Sequence, residues 1–245
     1  MAIIVGNSSH TGMVRAVNED YFGYYHIADI DVFVIADGMG GHRGGKVASK
    51  IGVDTIREYF ETHAKGNTPI ESLIDESLST ANRMIRDYAS ANPECFGMGA
   101  TAALLVIKGD TAYFRHLGDC RIYLIRDNRI RRLTKDHTLV QKMLDDGIIT
   151  YAESLMHPER NIVNKALGGR FYLEFDEPVN NLKLINNDRL LMCSDGLFDS
   201  MSDEEIFEIA RAGDIQQCVA ALIDEANRRG GNDNITVQLI QFTGE

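Results

Sequence analysis

Little in this sequence could cross-link, anchor or divide it. Only four of its 245 residues are proline, Pro69, Pro93, Pro158 and Pro178, and no Pro- or Ser-rich linker or low-complexity stretch interrupts the chain. That argues against two small domains and for one continuous domain, 1–245, long enough to bury a large core. The cysteines Cys95, Cys120, Cys193 and Cys218 make no CxxC pair and stand far apart in apolar or helical surroundings. Buried thiols in a reducing compartment are expected, without zinc or disulfides. No apolar run approaches the roughly 20 residues that span a bilayer, and the opening MAIIVGNSSH has no charged segment ahead of a long apolar one. A cytoplasmic protein with no membrane partner is expected. Positive charge is also scarce, 25 Lys and Arg against 36 Asp and Glu for a net charge of -11, which excludes a general nucleic-acid or anionic-membrane binder.

What is present is organised around DVFVIADGMGGH, Asp31 to His42. Val32 to Ala36 are apolar without alternation, the pattern of a strand covered on both faces. Asp37 ends the run, and Gly38, Gly40 and Gly41 let the backbone turn tightly beside its carboxylate. A carboxylate delivered by a rigid strand is a common way to hold a hard metal ion. A helix-capping aspartate reads equally well from this stretch alone.

Either side of it the chain alternates between layers. Ile3 to Val5 and Tyr21 to Ile27 read as strands joined by the polar link SHTGMVRAVNED, which carries Arg15, Glu19 and Asp20. The last two lie near Asp37 if the strands pair. Ala48, Gly52, Ile56, Tyr59 and His63 recur at helical spacing, and Thr68, Pro69 and Glu71 predict a capped start for a second helix through Tyr88. From Gly97 the period changes. Ala102 to Ile107, Ala112 to Leu117 and Ile122 to Ile125 read as short strands, sequential ones pairing antiparallel. Leu139 to Leu144 read as a short helix, followed by an irregular flap over about 145–169. Leu190 to Cys193 is a buried strand, Ser202 and Glu205 form a capping box, Ile215 to Ala226 supply a last helix, and Ile235 to Gln241 close the chain. The predicted order is strands, two helices, strands, two helices, one strand.

Four aspartates therefore share one setting. Asp37, Asp119, Asp195 and Asp233 each lie beside glycine or asparagine at the end of an apolar strand. Carboxylates gathered at one end of a sheet repel each other unless something neutralises them. Metal ions do so, and oxygen-only ligands without a His or Cys set point to Mg²⁺ or Mn²⁺.

The same residues carry a resemblance. R-x-x-N-E-D at Arg15 to Asp20, DGMGGH at Asp37, GMGATA at Gly97, GDCR at Gly118, T-K-D-H at Thr134, SDGL at Ser194 and GGNDNITV at Gly230 follow the order seen in metal-dependent protein phosphatases of the PP2C (PPM) family. The chain resembles a single-domain bacterial member over nearly its whole length. The resemblance implies an α+β fold, a four-layer αββα sandwich of two antiparallel β-sheets flanked by helical layers. It implies a site in which Asp37 bridges two ions, Asp195 and Asp233 complete one, and Glu19 with the Gly38 carbonyl serves the other. Asp20 would act through bound water, Asp119 would help bind a third ion, and Arg15 would hold the substrate phosphate. The implied activity is hydrolysis of phosphoserine and phosphothreonine in proteins by a metal-bridging water, without a covalent enzyme intermediate. The implied partners are phosphorylated proteins and a cognate Ser/Thr kinase, for an enzyme acting as a monomer.

Departures and rivals complete the expectations. Met39 stands where eukaryotic relatives have a histidine, so the general acid is open between His42 and metal-bound water. Lys46 and Cys120 replace the usual glutamate and serine. A cysteine phosphatase is formally suggested by Cys120-x5-Arg126, but the residues between are β-patterned and lack the glycines of a phosphate loop. A catalytically dead regulatory domain would have lost an acidic ligand, and none is missing; a small-molecule phosphoesterase with the same site stays open. Arg129, Arg131 and Arg132 form a basic cluster, read as a solvated hairpin end or as a docking point for acidic partners.

Overall fold

The computed structural model describes residues 2–40, 44–170, 172–175 and 179–244. Its centre is a pair of antiparallel sheets. One contains β1 (Ala2–His10), β11 (Ile235–Thr243), β10 (Arg189–Cys193), β7 (Arg121–Arg126) and β8 (Arg129–Arg132) in that order. The other runs β2 (Asp20–Ile27), β3 (Ile30–Met39), β5 (Ala102–Lys108), β6 (Thr111–Leu117), β9 (Asn180–Lys183), with β4 (Gly99–Ala100) paired to the end of β3.

The unalternating strands are explained by what covers them. In β3, Val32, Val34 and Ala36 pack toward α1 (Gly44–His63) and α2 (Ile70–Ala91), while Phe33 and Ile35 point into the layer between the sheets. In β10, Leu190 and Met192 enter that same inner layer, and Leu191 and Cys193 meet α6 (Asp203–Ala210) and α7 (Ile215–Arg228). Three apolar layers between four structural ones make an αββα sandwich, as the resemblance implied. All four cysteines are buried and unpaired, as expected.

Several local expectations are corrected. The α2 N-cap is Pro69 without a side-chain cap, so Thr68 does not open this helix. The Ser202–Glu205 capping box does form at α6. The run through GDCR is not a hairpin. β6 and β7 belong to different sheets, so Gly118 to Cys120 carry the chain across the sandwich. The flap is not wholly irregular, because α3 (Leu139–Asp145) is followed by α4 (Tyr151–Met156), opened by a Thr150–Glu153 capping box. The simple element order also fails. A short helix, α5 (Asp195–Phe198), β9, and the hairpin strand β8 were not expected. The basic cluster lies on β8, whose turn with β7 uses Asp127 and Asn128 at positive φ, 50° and 59°.

Candidate metal centre

Strand pairing assembles the first half of the site. β2 and β3 register Asp20 opposite Asp37, and Gly38 N–H donates to the Glu19 carbonyl at 3.2 Å. A Cβ built on Gly38 would stand 2.1 Å from the Gly45 carbonyl oxygen. One built on Gly45 would stand 2.6 Å from Glu19 Oε1 and 2.7 Å from the Gly38 carbonyl oxygen. Gly45 thus leaves open a space bordered by a carboxylate oxygen and a carbonyl oxygen, the pair expected to serve one ion. His42, a candidate acid, lies outside the described residues. Lys46 is exposed on α1, and Met39 lines a small apolar recess with Leu117, Val163 and Leu173.

The other sheet supplies the rest. Asp195 is the first residue of α5, immediately after β10, and Asp233 lies just before β11. Asp119 is on the crossover turn and is buried. Thr101 ties the sheets together there: its N–H donates to the Asp37 carbonyl at 2.8 Å, its Oγ1 accepts from Asp37 N–H at 3.2 Å, and Oγ1 lies 3.0 Å from Cys120 Sγ.

The electrostatics match a site built for cations. Burial, then the fields of Asp20, Asp195, Asp119 and Asp233, push the Asp37 carboxyl well above the carboxylate range. Burial, then Asp119, Asp233, Asp199 and Asp20, does the same to Asp195. Both residues keep some solvent-exposed surface while lying deep among protein atoms, the shape of a pit open at its mouth. Asp119 is raised to about 6 by burial and by Asp136. Asp20 is also raised to about 6, burial outweighing the hydroxyls of Thr236 (2.6 Å) and Ser194 (2.7 Å) that donate to its Oδ2.

Two observations test whether metal fits. Asp20 Oδ1 and Asp195 Oδ1 are buried without hydrogen-bond partners, a costly state that an ion or an ion-bound water would relieve. The donor set is all oxygen, as Mn²⁺ and Mg²⁺ require. The residues therefore fit. Among the described residues no three Asp, Glu, His or Cys side chains already form a closed ligand set, so the carboxylates share a field without yet meeting at one centre.

Arg15 is at the rim. Its Nη2 donates to Asp233 Oδ2 at 2.7 Å, its side chain is 52% exposed, and Asp233, then Asp195 and Asp37, hold its charge in place. The segment carrying Arg15 and Glu19 is held by Asn234, whose Oδ1 accepts from Glu19 N–H (2.7 Å) and whose Nδ2 donates to the carbonyls of Thr11 (2.9 Å) and Val17 (3.0 Å). All eight expected site residues, Arg15, Glu19, Asp20, Asp37, Gly38, Asp119, Asp195 and Asp233, thus lie at one end of the sandwich. Asn234, Thr101, Ser194 and Thr236 were missed as supports, although three of them are within three residues of a predicted aspartate.

The cysteine-phosphatase signature does not assemble. Cys120 is buried, and burial followed by Asp37 and Asp119 pushes its thiol far up. Arg126 lies at the other end of β7, bonded to Asp188.

Comparison with known proteins identifies the family. The protein phosphatase 2C family model matches residues 9–239. The chain belongs to the PP2C family of protein phosphatases. It is 35% identical over 229 residues to the serine/threonine protein phosphatase PstP of Mycobacterium tuberculosis, covering 94% of this chain but 43% of that relative, so it spans less than half of PstP. It is 33% identical to the serine/threonine phosphatase stp of Listeria welshimeri, covering 94% of this chain and 92% of that one. The crystal structure of the PstP catalytic domain in complex with two manganese ions superposes with a TM-score of 0.86 at 32% identity, covering 99% of each chain. The PP2C fold expected from the motifs is the fold observed.

Proposed function

We propose that this chain is a single-domain, metal-dependent phosphatase acting on phosphoserine and phosphothreonine in proteins. The observation that carries the reading is the pair of buried, unpartnered oxygens on Asp20 and Asp195 inside a cluster of five aspartates. Mn²⁺ or Mg²⁺, when bound, supplies Lewis acidity that activates water and charge that offsets the phosphate. Asp37 would serve two ions, Asp195 and Asp233 would complete one set, and Glu19 with the Gly38 carbonyl would serve the other. Asp20, anchored by Ser194 and Thr236 through Oδ2, keeps its Oδ1 buried and without a partner. Asp119 would belong to a third, outlying ion.

Arg15 has two partners in this reading. Its planar fork suits a phosphate as well as the Asp233 carboxylate it holds now. Engagement of Asp233 elsewhere frees the guanidinium for the substrate. No side chain needs to become a covalent carrier, since the buried Cys120 thiol stays protonated.

The protein substrate is supported by the cleft. About 530 Å³ opens between Asp119, Asp195 and Asp199 on one side and Tyr151 and Leu155 of the flap on the other, room for an extended segment with apolar neighbours. A cognate Ser/Thr kinase would supply that substrate, and the monomer and the cytoplasm are the setting we infer. Four buried free thiols suit a reducing compartment, and among the described residues no helix is long and apolar enough to cross a membrane. The test is turnover of a phosphothreonine peptide after exhaustive chelation, then with Mn²⁺ added back. Phosphate release should vanish and return; undiminished release without metal would overturn the mechanism.

A further inference from the structure

Of the T-K-D-H motif only Asp136 has entered the site so far, by its field on Asp119, yet three of its four residues grip the turn that carries Asp119 and the start of the strand after it. Ile122 N–H donates to Thr134 Oγ1 at 3.1 Å, and Arg121 donates to both Asp136 oxygens, Nε at 3.1 Å and Nη2 at 2.7 Å. Gly118 N–H donates to His137 Nδ1 at 3.2 Å, and His137 N–H returns a bond to the Gly118 carbonyl at 2.9 Å. The reason lies in the topology. A turn that crosses between sheets leaves both ladders behind, so its backbone groups need partners from elsewhere. Gly118 also has little freedom to relax, at φ +93° with Thr101 Cγ2 only 2.5 Å from where a Cβ would stand.

His137 holds the flap with its other side. Its carbonyl accepts from Asn164 N–H at 2.9 Å, Asn164 Nδ2 donates to the Thr138 carbonyl at 3.2 Å, and Leu139 N–H donates to the Ile162 carbonyl at 2.9 Å. Residues 162–164 are the stem by which the flap rejoins the domain. The His137 ring is stacked on His116 at 4.3 Å between centroids and 14° between planes, and His116 Nε2 lies 2.6 Å from the Lys135 carbonyl oxygen. The stack holds the ring in the orientation that meets Gly118.

We propose that His137 is a positioning residue that fixes Asp119 through Gly118 and ties the flap stem to it, so that the flap and the outlying ion position move as one unit. The inference rests on the reading of Asp119 as an ion-binding carboxylate. It needs an unprotonated Nδ1, because that atom accepts an N–H. Asparagine can put its amide oxygen where Nδ1 stands. Glutamine puts its polar group nearer the Nε2 position and leaves Gly118 N–H without its acceptor.

The experiment compares His137→Asn and His137→Gln in the Mn²⁺-loaded protein, with Asp119→Ala and the His137→Gln/Asp119→Ala double variant. Loss of a supporting hydrogen bond at a metal site costs about 10–100-fold, so His137→Gln should lose about 10-fold in kcat and need more Mn²⁺ for half its activity. Peptide KM should hardly change, and calorimetry should still count two tight ions. His137→Asn should stay within about 3-fold of the parent by that same scale. Adding His137→Gln to Asp119→Ala should cost nothing further, since both act through one carboxylate. If His137→Gln does not fold, His137→Ala replaces it, because it too lacks an acceptor at the Nδ1 position. Asn and Gln variants that behave alike, or losses that multiply in the double variant, would overturn the proposal. Wild-type turnover in Asp119→Ala would instead remove the reading of Asp119, and this proposal with it.

Discussion

Strand β10 has an aspartate beyond each end, and the two are treated in opposite ways. Asp188, before the strand, has a side chain only 1% exposed; it accepts from Arg126 Nε at 2.8 Å, Arg126 Nη2 at 2.6 Å and Ile185 N–H at 2.8 Å. Asp195, after the strand, has one oxygen without any partner and the carboxylates of Asp119, Asp233, Asp199 and Asp20 around it. The neighbouring strand β7 repeats the contrast, with Arg126 at one end and the turn bearing Asp119 at the other. The structural aspartate carries its own counter-ion in the fold. Asp195, which we propose as an ion ligand, would take its counter-ion from solution.

The sharpest break of this contrast exchanges for its amide one acid of each kind, Asp37 from the carboxylate cluster that surrounds Asp195 and Asp188 from the paired end. Asp37→Asn should reduce phosphopeptide turnover by more than the roughly 10–100-fold typical of losing a mere supporting group at a metal site. The metal-free variant should nevertheless melt a few degrees higher, because a repelling carboxylate is gone. Asp188→Asn should do the reverse. Loss of a buried partner costs about 3–5 kcal/mol, reduced here toward about 2 because Arg126 can reach solvent, while turnover per folded molecule is kept. Thermal melts of chelated protein beside kinetics check both, and a destabilised metal-free Asp37→Asn would break the comparison.

A pH series sharpens it with a smaller effect. Asp20 and Asp119 titrate at about 6 in the fold and Asp37 and Asp195 are raised well above the usual range, against about 3.9 in an unfolded chain. The folded state therefore holds protons that the unfolded state releases. This contribution is complete below about pH 4 and is lost as pH rises through about 6 and beyond. Glu205 and Glu225, held down to about 2 by Arg229 and Arg228, have the opposite slope, but only below the ordinary glutamate range. Metal-free protein should melt higher at about pH 5 than at about pH 8, and Mn²⁺ should erase that difference. A melting temperature that rises across this range without metal would contradict the assignment. The least effect belongs to Cys120→Ser, since the thiol's hydrogen bond is to Thr101 Oγ1, which a serine hydroxyl can also reach: turnover should stay within about 3-fold, with about 1 kcal/mol of stability lost to the more polar buried group. A phosphocysteine adduct would reverse this.

The proposed site was more legible than the connections that build it. Asp37, Asp119, Asp195 and Asp233 could be read because an acid after an apolar run is a local pattern, and Asp20 followed from pairing adjacent strands. The crossing at Gly118 to Cys120 could not, because β6 and β7 are both largely buried and a tight turn looks the same within a sheet or between two. Helix α4 was hidden by its shortness and by the absence of any buried residue, so no apolar period marked it. β8 and β9 lie at sheet edges and are mostly polar, which removes the signal that burial gives. Asn234, Ser194 and Thr236 were passed over because polar residues beside a turn are usually solvated. Their role depends on strands far away in sequence.

That distance has a consequence for synthesis. The bond from Arg15 to Asp233 joins residues 218 apart, that from Glu19 to Asn234 joins residues 215 apart, and β1 pairs along its whole length with β11. A ribosome that has delivered everything up to β10 has made the β2–β3–β5–β6–β9 sheet with α1 and α2, but β1 still lacks its partner β11 and the segment bearing Arg15 and Glu19 has nothing to dock on. Contacts this remote are slow to form, because a long loop must close before any of them stabilises the chain. On the proposed function, the nascent chain would stay catalytically silent until β11 emerges, so no partial product of translation ending before it would remove phosphate.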